Sequence, residues 1–580
     1  MGSVLSIIRS ATKGVGAVVK LLLDLNKQYQ ALLVRVNAAP GLPHEKPSSP
    51  YWLDDPPFPE LVDMQSDILP READVVIIGS GITGVAVARS LFAATARGSG
   101  GGGGDDQSPR VVVLEARSLC AGATGRNGGH LKGSPHEIFP RLARHFGKEG
   151  AARLTRFMLR TAEAVMEVGR AEGREVAECR AVETVDFFFD EAGFEDAQKL
   201  CEELNRWVPE FAIEALGREE TVERFGCDRG HVRGSLVYAA GALWPYRLVT
   251  SVWRELLDAH GERLSLETGT AVEAVALDPA GSGGDRSRPY LVRTARGAIR
   301  ARHVVHATNA HAGQFLTGLR GKLTGLKGHM TAQRPSSQDE ESPGGSGFRW
   351  KDGSAPGSKS WSVLYGAGRF DYVTQRPNGD VMLGGGFERS AGEGVDMIGV
   401  WDDSGTDGLT IAHVSGVMKA VFGAGWTGNV IRSWSGILGF TGDMAPFVGR
   451  VPSSLTGAAK AGALHSSLGG MRKTKTQKIV FDDDEEVDDV NELVLDEAGC
   501  WKGAGAGEWV SAGYGGDGMV WAWLCGTALG IMVAGREDAA LEKADGFPGG
   551  RLAEWFPPEL LITETRVKNA DLTNLVDEVL

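Results

Sequence analysis

The spacing Gly79-Ser80-Gly81-Ile82-Thr83-Gly84 carries the strongest chemical signal in the chain, because it directly follows the β-branched run Ala73-Asp74-Val75-Val76-Ile77-Ile78. That run reads as a central parallel strand buried on both faces, and Ile82 to Ala96 reads as a helix. In this setting Gly79 permits the tight turn, Gly81 lets backbone approach a pyrophosphate, and Gly84 allows close helix–sheet packing. The helix N-terminus at Ile82 and Thr83 supplies amide donors and partial positive charge. A second run, Arg110-Val111-Val112-Val113-Leu114-Glu115-Ala116-Arg117, ends in an acid placed to bind ribose hydroxyls, with Ala116 and Arg117 beside it. An acid rather than a base at this point argues against a 2'-phosphate. The interval from Gly84 to Glu115 exceeds the usual spacing of about 20 residues. The stretch Gly98 to Pro109, with its five consecutive glycines, accounts for most of the excess. A dinucleotide is predicted; these residues alone do not choose between FAD and NAD.

The elements that must hold this cradle belong to a long chain. Its 580 residues, 42% of them hydrophobic, suffice for two domain-sized cores, since single cores rarely exceed about 250 to 300 residues. A net charge of -14 disfavours nucleic acid as a partner, because that binding relies on Lys and Arg displacing counterions from phosphates. Six cysteines show neither CxxC nor Cys–His spacing, so no metal site and no disulfide framework is expected, and a reducing, cytoplasmic setting fits. Residues 4–36 mix apolar runs with Arg9, Lys13, Lys20, Lys27 and Arg35, which interrupt the roughly 20-residue apolar run a membrane span requires. An amphipathic helix is expected there. It follows Met1-Gly2-Ser3-Val4-Leu5-Ser6, the acylation pattern MGxxxS, and the two signals together predict weak contact with a membrane surface. A proline-rich tether from Pro40 to Pro59 separates this helix from the body. Gly98–Pro109, Pro279–Arg288, Ser336–Gly357 and Ser466–Gly507, the last with the acidic run Asp482–Glu486, read as mobile surface insertions.

Beyond the ribose acid stands Cys120-Ala121-Gly122-Ala123-Thr124-Gly125-Arg126-Asn127-Gly128-Gly129-His130, small residues that would let backbone approach a second, larger group. With this segment the chain resembles the D-amino-acid-oxidase-like flavoprotein superfamily of glycine, sarcosine and γ-glutamylputrescine oxidases. Further blocks follow in order: Gly241–Val249, Thr270–Val275, Ala301–Ala310, Gly439–Gly449 and Ser511–Met519. The resemblance spans about residues 70–535 and decides for FAD. It implies that Ala123, Thr124, Arg126, Asn127, Gly128 and Gly129 line the pyrophosphate and the flavin ring. Val272 would meet the adenine side through its backbone, and Ala307, Thr308 and Asn309 would pass near the pyrophosphate. Gly515, Gly516, Asp517, Gly518 and Met519 would hold the flavin's pyrimidine edge at the start of a helix from Val520 to Val533. A helix N-terminus there suits the negative charge a reduced flavin carries.

The resemblance further implies oxidation of an amine or amino acid by hydride transfer to flavin N5, with dioxygen as acceptor and with the cofactor supplying the chemistry. A flavin-dependent dehydrogenase or tailoring oxidase using another acceptor, and a flavin-binding interaction protein without turnover, are the competing readings. No second strand–GxGxxG–helix unit is evident for a nicotinamide nucleotide. His329 is a candidate above the flavin, and Tyr365, Arg369 and Tyr372 are substrate-facing candidates on the strand-like stretch Leu364 to Leu383. FAD is expected to be noncovalent: His130 falls several residues past the position of histidyl-flavin relatives, and Ile437-Leu438-Gly439 occupies the neighbourhood of the attachment cysteine. The fold expected is α/β, with a discontinuous Rossmann-type FAD-binding domain (71–140, 241–320 and 431–535, with an acidic and glycine-rich insertion at 466–507). It interweaves with a substrate domain (141–240 and 321–430) built on a mostly antiparallel sheet with helices such as Glu149 to Glu172. Residues 1–39 would form the amphipathic helix, 40–70 the tether and 536–580 a C-terminal extension.

Overall fold

The computed structural model describes residues 26–96, 108–278, 287–336, 348–366, 368–457, 501 and 503–573. The acylation pattern at Gly2, the five-glycine run, most of Pro279–Arg288 and the acidic run Asp482–Glu486 lie outside the described residues.

The β-branched run forms the strand Glu72–Ile78, with every residue after Glu72 buried. Val111–Leu114 and Gly297–His306 flank it in parallel register. Leu264–Glu267 and Gly507–Ala512 extend the parallel core at either side, and Phe447–Arg450 closes one edge antiparallel. The hairpin Val272–Leu277 and Tyr290–Thr294 completes a sheet of eight strands. Its five parallel members come from points scattered over four hundred residues of chain, so this domain is discontinuous, and the unbroken apolar runs of its central strands are those of a sheet covered on both faces. Helices Ile82–Thr95 and Ala522–Val533 pack against each other beneath it. A methyl group on Gly526 would stand 2.8 Å from the Thr83 carbonyl oxygen, so the two helices touch backbone to backbone.

The second sheet has nine strands. Asn429–Thr441, Leu323–Arg334, Val381–Gly385, Phe370–Gln375, Lys359–Leu364, Arg180–Phe188, Gly234–Ala242 and His130–Leu131 follow one another across it, and Glu214–Gly217 pairs with Gly234–Ala242. All its pairings are antiparallel except Lys359–Leu364 with Arg180–Phe188. Helix Gly408–Phe422 buries Val414, Val417, Met418 and Val421 against one face. Helix Glu191–Trp207 puts Phe194 and Ala197 against the other.

Several boundaries differ from those read in the sequence. Strand Asn429–Thr441 pairs along its length with Leu323–Arg334, so the chain leaves the second sheet after Thr441 and not at 431. His130–Leu131 also belongs to the second sheet, opposite Gly241 and Ala242. The helix expected over 149–172 is the second limb of Pro135–Arg170, which breaks at Gly147 (φ 69°, ψ 171°). Within the stretch expected to be a mobile loop at 336–357, Phe348 and Trp350 are buried in the second sheet's core. Within the segment expected to be a C-terminal extension at 536–580, residues 536–573 fold back onto the body: Ile562, Val567 and Ala570 join Phe447 and Val510 in one core, and Arg566 pairs with Asp443 at 2.8 Å. Nor is the N-terminal region detached. Residues 26–37 are helical, Leu32 and Val36 are buried against Leu326, Ile398 and Phe440, and Trp52 is 1% exposed.

A methyl group on Gly84 would overlap the Gly79 carbonyl oxygen, so Gly84→Ala must push the helix off its strand. A loss of about 1–3 kcal/mol is expected, read as a lowered thermal midpoint; an unchanged midpoint would show that the two backbones are not in contact.

Candidate functional site

A cavity of about 480 Å³ runs along the seam between the two sheets, within the range of ligand pockets. At one end it is made almost wholly of backbone. Gly79 has φ 107°, a conformation that L side chains rarely adopt, and a methyl there would come within 2.7 Å of the Ala307 carbonyl oxygen. A methyl on Gly81 would stand 2.8 Å from Thr124 Oγ1, and that hydroxyl accepts the Ile82 N–H at 3.0 Å. Glu115 ends its strand with Oε2 accepting from the Ser80 N–H (3.1 Å) and the Ser80 hydroxyl (2.6 Å), and Oε1 from the Arg117 N–H (3.1 Å). The acid is thereby fixed in orientation at the cavity wall.

The segment after it turns through the 3-10 helix Ala123–Gly125 and is held from outside by two indoles: Trp52 donates to the Asn127 carbonyl and Trp434 to the Arg126 carbonyl at 2.8 Å. Arg126 directs its guanidinium to the carbonyls of Ala121, Ser48 and Ser435 (2.8–2.9 Å) and lies 3.4 Å from Asp403. Burial lowers its pKa to about 10, opposed by Asp403. It borders the cavity while its donors tie neighbouring segments together. On the far side Gly515 donates to the Gly439 carbonyl at 2.7 Å, and Asn309 Oδ1 accepts from the Gly513 N–H at 2.9 Å. Gly518–Val520 is a 3-10 turn, so the α-helix starts at Ala522 rather than Val520.

The second sheet supplies the opposite wall. Tyr372, Met330, Leu364 and Ser362 border the cavity, and the Tyr372 ring lies so near Gly128 that a methyl there would come within 2.6 Å of it. Lys132 pairs with Asp186 and donates to Ser362 Oγ at 2.6 Å, while Asp186 Oδ2 accepts from the Tyr238 hydroxyl at 2.6 Å. The two charged side chains are 6% and 1% exposed. Burial by itself would raise the Asp186 pKa, but the charges of Lys132 and His136 and the bonds from Lys132 and Tyr238 outweigh it and hold the carboxyl low. His130 bonds Ser360 Oγ at 2.8 Å, and burial keeps its ring neutral. Asp517 shares this space: burial pushes its carboxyl up to about 6, against the pull of Arg141.

Of the residues singled out in the sequence, Gly79, Gly81, Ile82, Thr83, Glu115, Ala116, Arg117, Ala123, Thr124, Arg126, Asn127 and Gly128 border this one cavity. So do Val272, Ala307, Thr308, Asn309, Gly515 through Met519, His329, Arg369 and Tyr372. Gly84 lies behind it in the helix–strand contact, and Gly129, φ 66°, packs on the Leu243 carbonyl. Tyr365 is not brought to the cavity: its hydroxyl donates to Asp371 at 2.7 Å and its ring packs against Phe189 and His413. Arg369 stands exposed at the mouth. His329 is 4% exposed, and its Nε2 accepts from the Asp407 N–H at 2.9 Å, so that lone pair is not free to act as a base. Lys132, Asp186 and Ser362 escaped sequence reasoning. The cue for Asp186 was present, a lone acid inside the apolar run Val185–Phe189, where an unpaired charge could not be buried.

The family model described as FAD dependent oxidoreductase (DAO) matches residues 74–530. Gamma-glutamylputrescine oxidoreductase of Escherichia coli (strain K12) is 26% identical over 245 residues, 41% of this chain and 50% of that protein; the match thus spans half the length of that relative. The L-proline dehydrogenase of P. horikoshii superposes with a TM-score of 0.52 at 18% identity, covering 84% of this chain and 98% of that one. The glycine oxidase of Geobacillus kaustophilus gives 0.50 at 15% identity, over 82% and 98%. These likenesses show the shared fold. The residues described above fit the cofactor the family name carries: a side-chain-free turn for a pyrophosphate, a fixed carboxylate for ribose hydroxyls, and a groove running on to the second sheet.

Burial, with Lys327 adding to it, lowers the His329 pKa from 6.5 to about 4. Between those values the unfolded chain takes up a proton that the folded ring refuses, so stability is full above about pH 6.5 and falls as pH drops. The difference is about 2 kcal/mol between pH 7 and pH 5. Urea unfolding of His329→Gln should lack that share of the acid sensitivity; parallel losses in variant and parent would refute the assignment.

Proposed function

The chain belongs to the DAO family of FAD dependent oxidoreductases, and we propose that it oxidises the carbon–nitrogen bond of an amino acid or a closely related amine, with dioxygen as the acceptor. The observation that carries this reading is the continuity of one cavity from the glycine turn and Glu115 to the polar wall at Lys132, Asp186 and Ser362. When bound, the flavin supplies the hydride acceptor for the carbon beside nitrogen and the electrons that reduce dioxygen.

The work left to the protein is to bind, orient and exclude water. Tyr372, held against Met330 Sδ at 3.1 Å, gives the substrate a flat apolar surface. The Lys132 ammonium has three donors, two of them engaged by Asp186 and Ser362; the third can take a substrate carboxylate from a position already fixed, with little side-chain entropy left to lose. Above about pH 6 Asp517 is anionic, and it meets the ammonium end of the same zwitterion. A buried ion pair of this kind adds little to stability over apolar packing, so its place at a cavity wall favours recognition as its role.

An anaerobic titration of the flavin-loaded protein with amino acids, N-methyl amino acids and polyamines should bleach the flavin with a carboxylate-bearing class, and air should restore it. Bleaching by none of them would refute the substrate reading, and failure to recover in air would refute dioxygen. The neutral double variant Lys132→Gln with Asp186→Asn should keep the flavin and raise KM for carboxylate-bearing substrates about tenfold or more. Equal changes for amines without a carboxylate would remove the anion-holding role of Lys132.

A further inference from the structure

Residues 40–53 precede the family-matched segment 74–530, and yet three of them, Gly41, Leu42 and Pro43, border the cofactor groove. They lie next to His44, whose carbonyl is reached by Arg117, two residues past Glu115. The Gly41 N–H donates to Gln314 Oε1 at 2.9 Å, the Gly41 carbonyl lies 3.2 Å from His311 Nδ1, and the His44 carbonyl accepts from Arg117 at 3.4 Å. This fixes the strand of chain between the turn Asn309–Gln314 and the residues beyond the ribose acid. Leu42 is an apolar side chain 45% exposed there.

Both ends of the segment are secured to the second sheet's side of the molecule. Upstream, Arg35 in the helix 26–37 donates to the carbonyls of Ile398 (3.0 Å) and Val395 (2.7 Å). Downstream, the Ser48 N–H donates to the Asp403 carbonyl at 2.7 Å and the Ser48 carbonyl accepts from Arg126 at 2.8 Å. Trp52 is anchored twice more, through its own indole to Asn127 and through its carbonyl to the Trp244 indole at 2.8 Å. Asp403 also holds Arg117 at 2.9 Å, so the latch and the ribose end share one network.

We propose that residues 40–48 form an outer wall of the adenosine half of the FAD site, with Leu42 and Pro43 covering the adenine, and that this strap governs how fast the cofactor leaves. The proposal rests on FAD as the cofactor and not on the substrate reading. Flat purines have apolar faces, and the exposed Leu42 with the half-buried Pro43 beside it offers them apolar cover at the groove wall. Because the strap is tied at both ends, the adenosine is released only when the middle lifts.

The test uses the full-length protein with two variants, Leu42→Ser with Pro43→Ala, and Arg35→Ala. FAD release would be followed by recovery of flavin fluorescence after dilution, and ADP binding by its competition with FAD for the apo-protein. The first variant should release FAD about fivefold faster or more, the effect of exposing half a leucine side chain, and should bind ADP more weakly by a like factor. Arg35→Ala, which removes two of the ties at the upstream end, should speed both release and rebinding. Rates and ADP affinity within twofold of the parent in both variants would overturn the wall and the gate together. A fall in thermal midpoint of the apo-protein without change in release would show a strap that only stabilises the fold. Bleaching experiments with substrates do not enter, so failure here is separable from failure of the proposed reaction.

Discussion

Three backbones meet at Gly79 with no room for a methyl group between them: the turn itself, the strand end at Ala307 and the helix at Gly84. This convergence is the constraint on which the rest of the molecule depends. It brings the N-terminus of helix Ile82–Thr95 to the cavity floor, where amide donors and the helix dipole are placed to receive an anion. It also places the ends of two strands that flank Glu72–Ile78 in parallel at one edge of the sheet, so that Glu115 and Ala307–Asn309 reach the same groove from either side of the glycine turn. Parallel sheets place ligands at their strand ends for this reason. The cost is a site that cannot tolerate side-chain growth at its centre.

The second sheet solves a different problem. A buried ion pair at a cavity wall has to be both desolvated and fixed, and here it is shared by three strands: Lys132 next to His130–Leu131, Asp186 on Arg180–Phe188 and Ser362 on Lys359–Leu364. The single parallel pairing of the sheet sets Ser362 directly opposite Asp186. Neighbours across a ladder lie about 5 Å apart, so one lysine reaches both. The indole bonds from Trp52 and Trp434 then hold the loop of Ala123–Gly129 against this wall, which couples the cradle in one sheet to the polar cluster in the other.

The outcome at the hairpin of the second sheet shows where sequence reasoning stops. Tyr365 and Tyr372 looked equivalent in one strand-like stretch, but the chain turns between them. Lys359–Leu364 ends before Tyr365, and Phe370–Gln375 begins after it. Side chains alternate along a strand, so Tyr372 faces the cavity while its neighbour Asp371 faces the other way and captures the Tyr365 hydroxyl. Local periodicity could not fix that parity without the position of the turn. In the same manner a proline-rich segment reads as a spacer by composition, and nothing in its own residues shows that Trp52 is buried under another element.

By itself the sequence determined what depends on neighbours in the chain: the strand–glycine–helix cradle, the acid at the end of the second strand, the mixed α/β architecture and the ordered blocks that identify a flavoprotein. Those signals are short-range, a run of β-branched residues, a glycine spacing and a helix start, and local backbone sterics enforce them. Only the tertiary structure decided what depends on meetings between distant residues. Lys132, Asp186 and Ser362 are separated by up to 230 positions, and Ser48 meets Ser435 across 387. Each such contact is set by which strands pair and in which register, a property of the assembled sheets that no local pattern encodes.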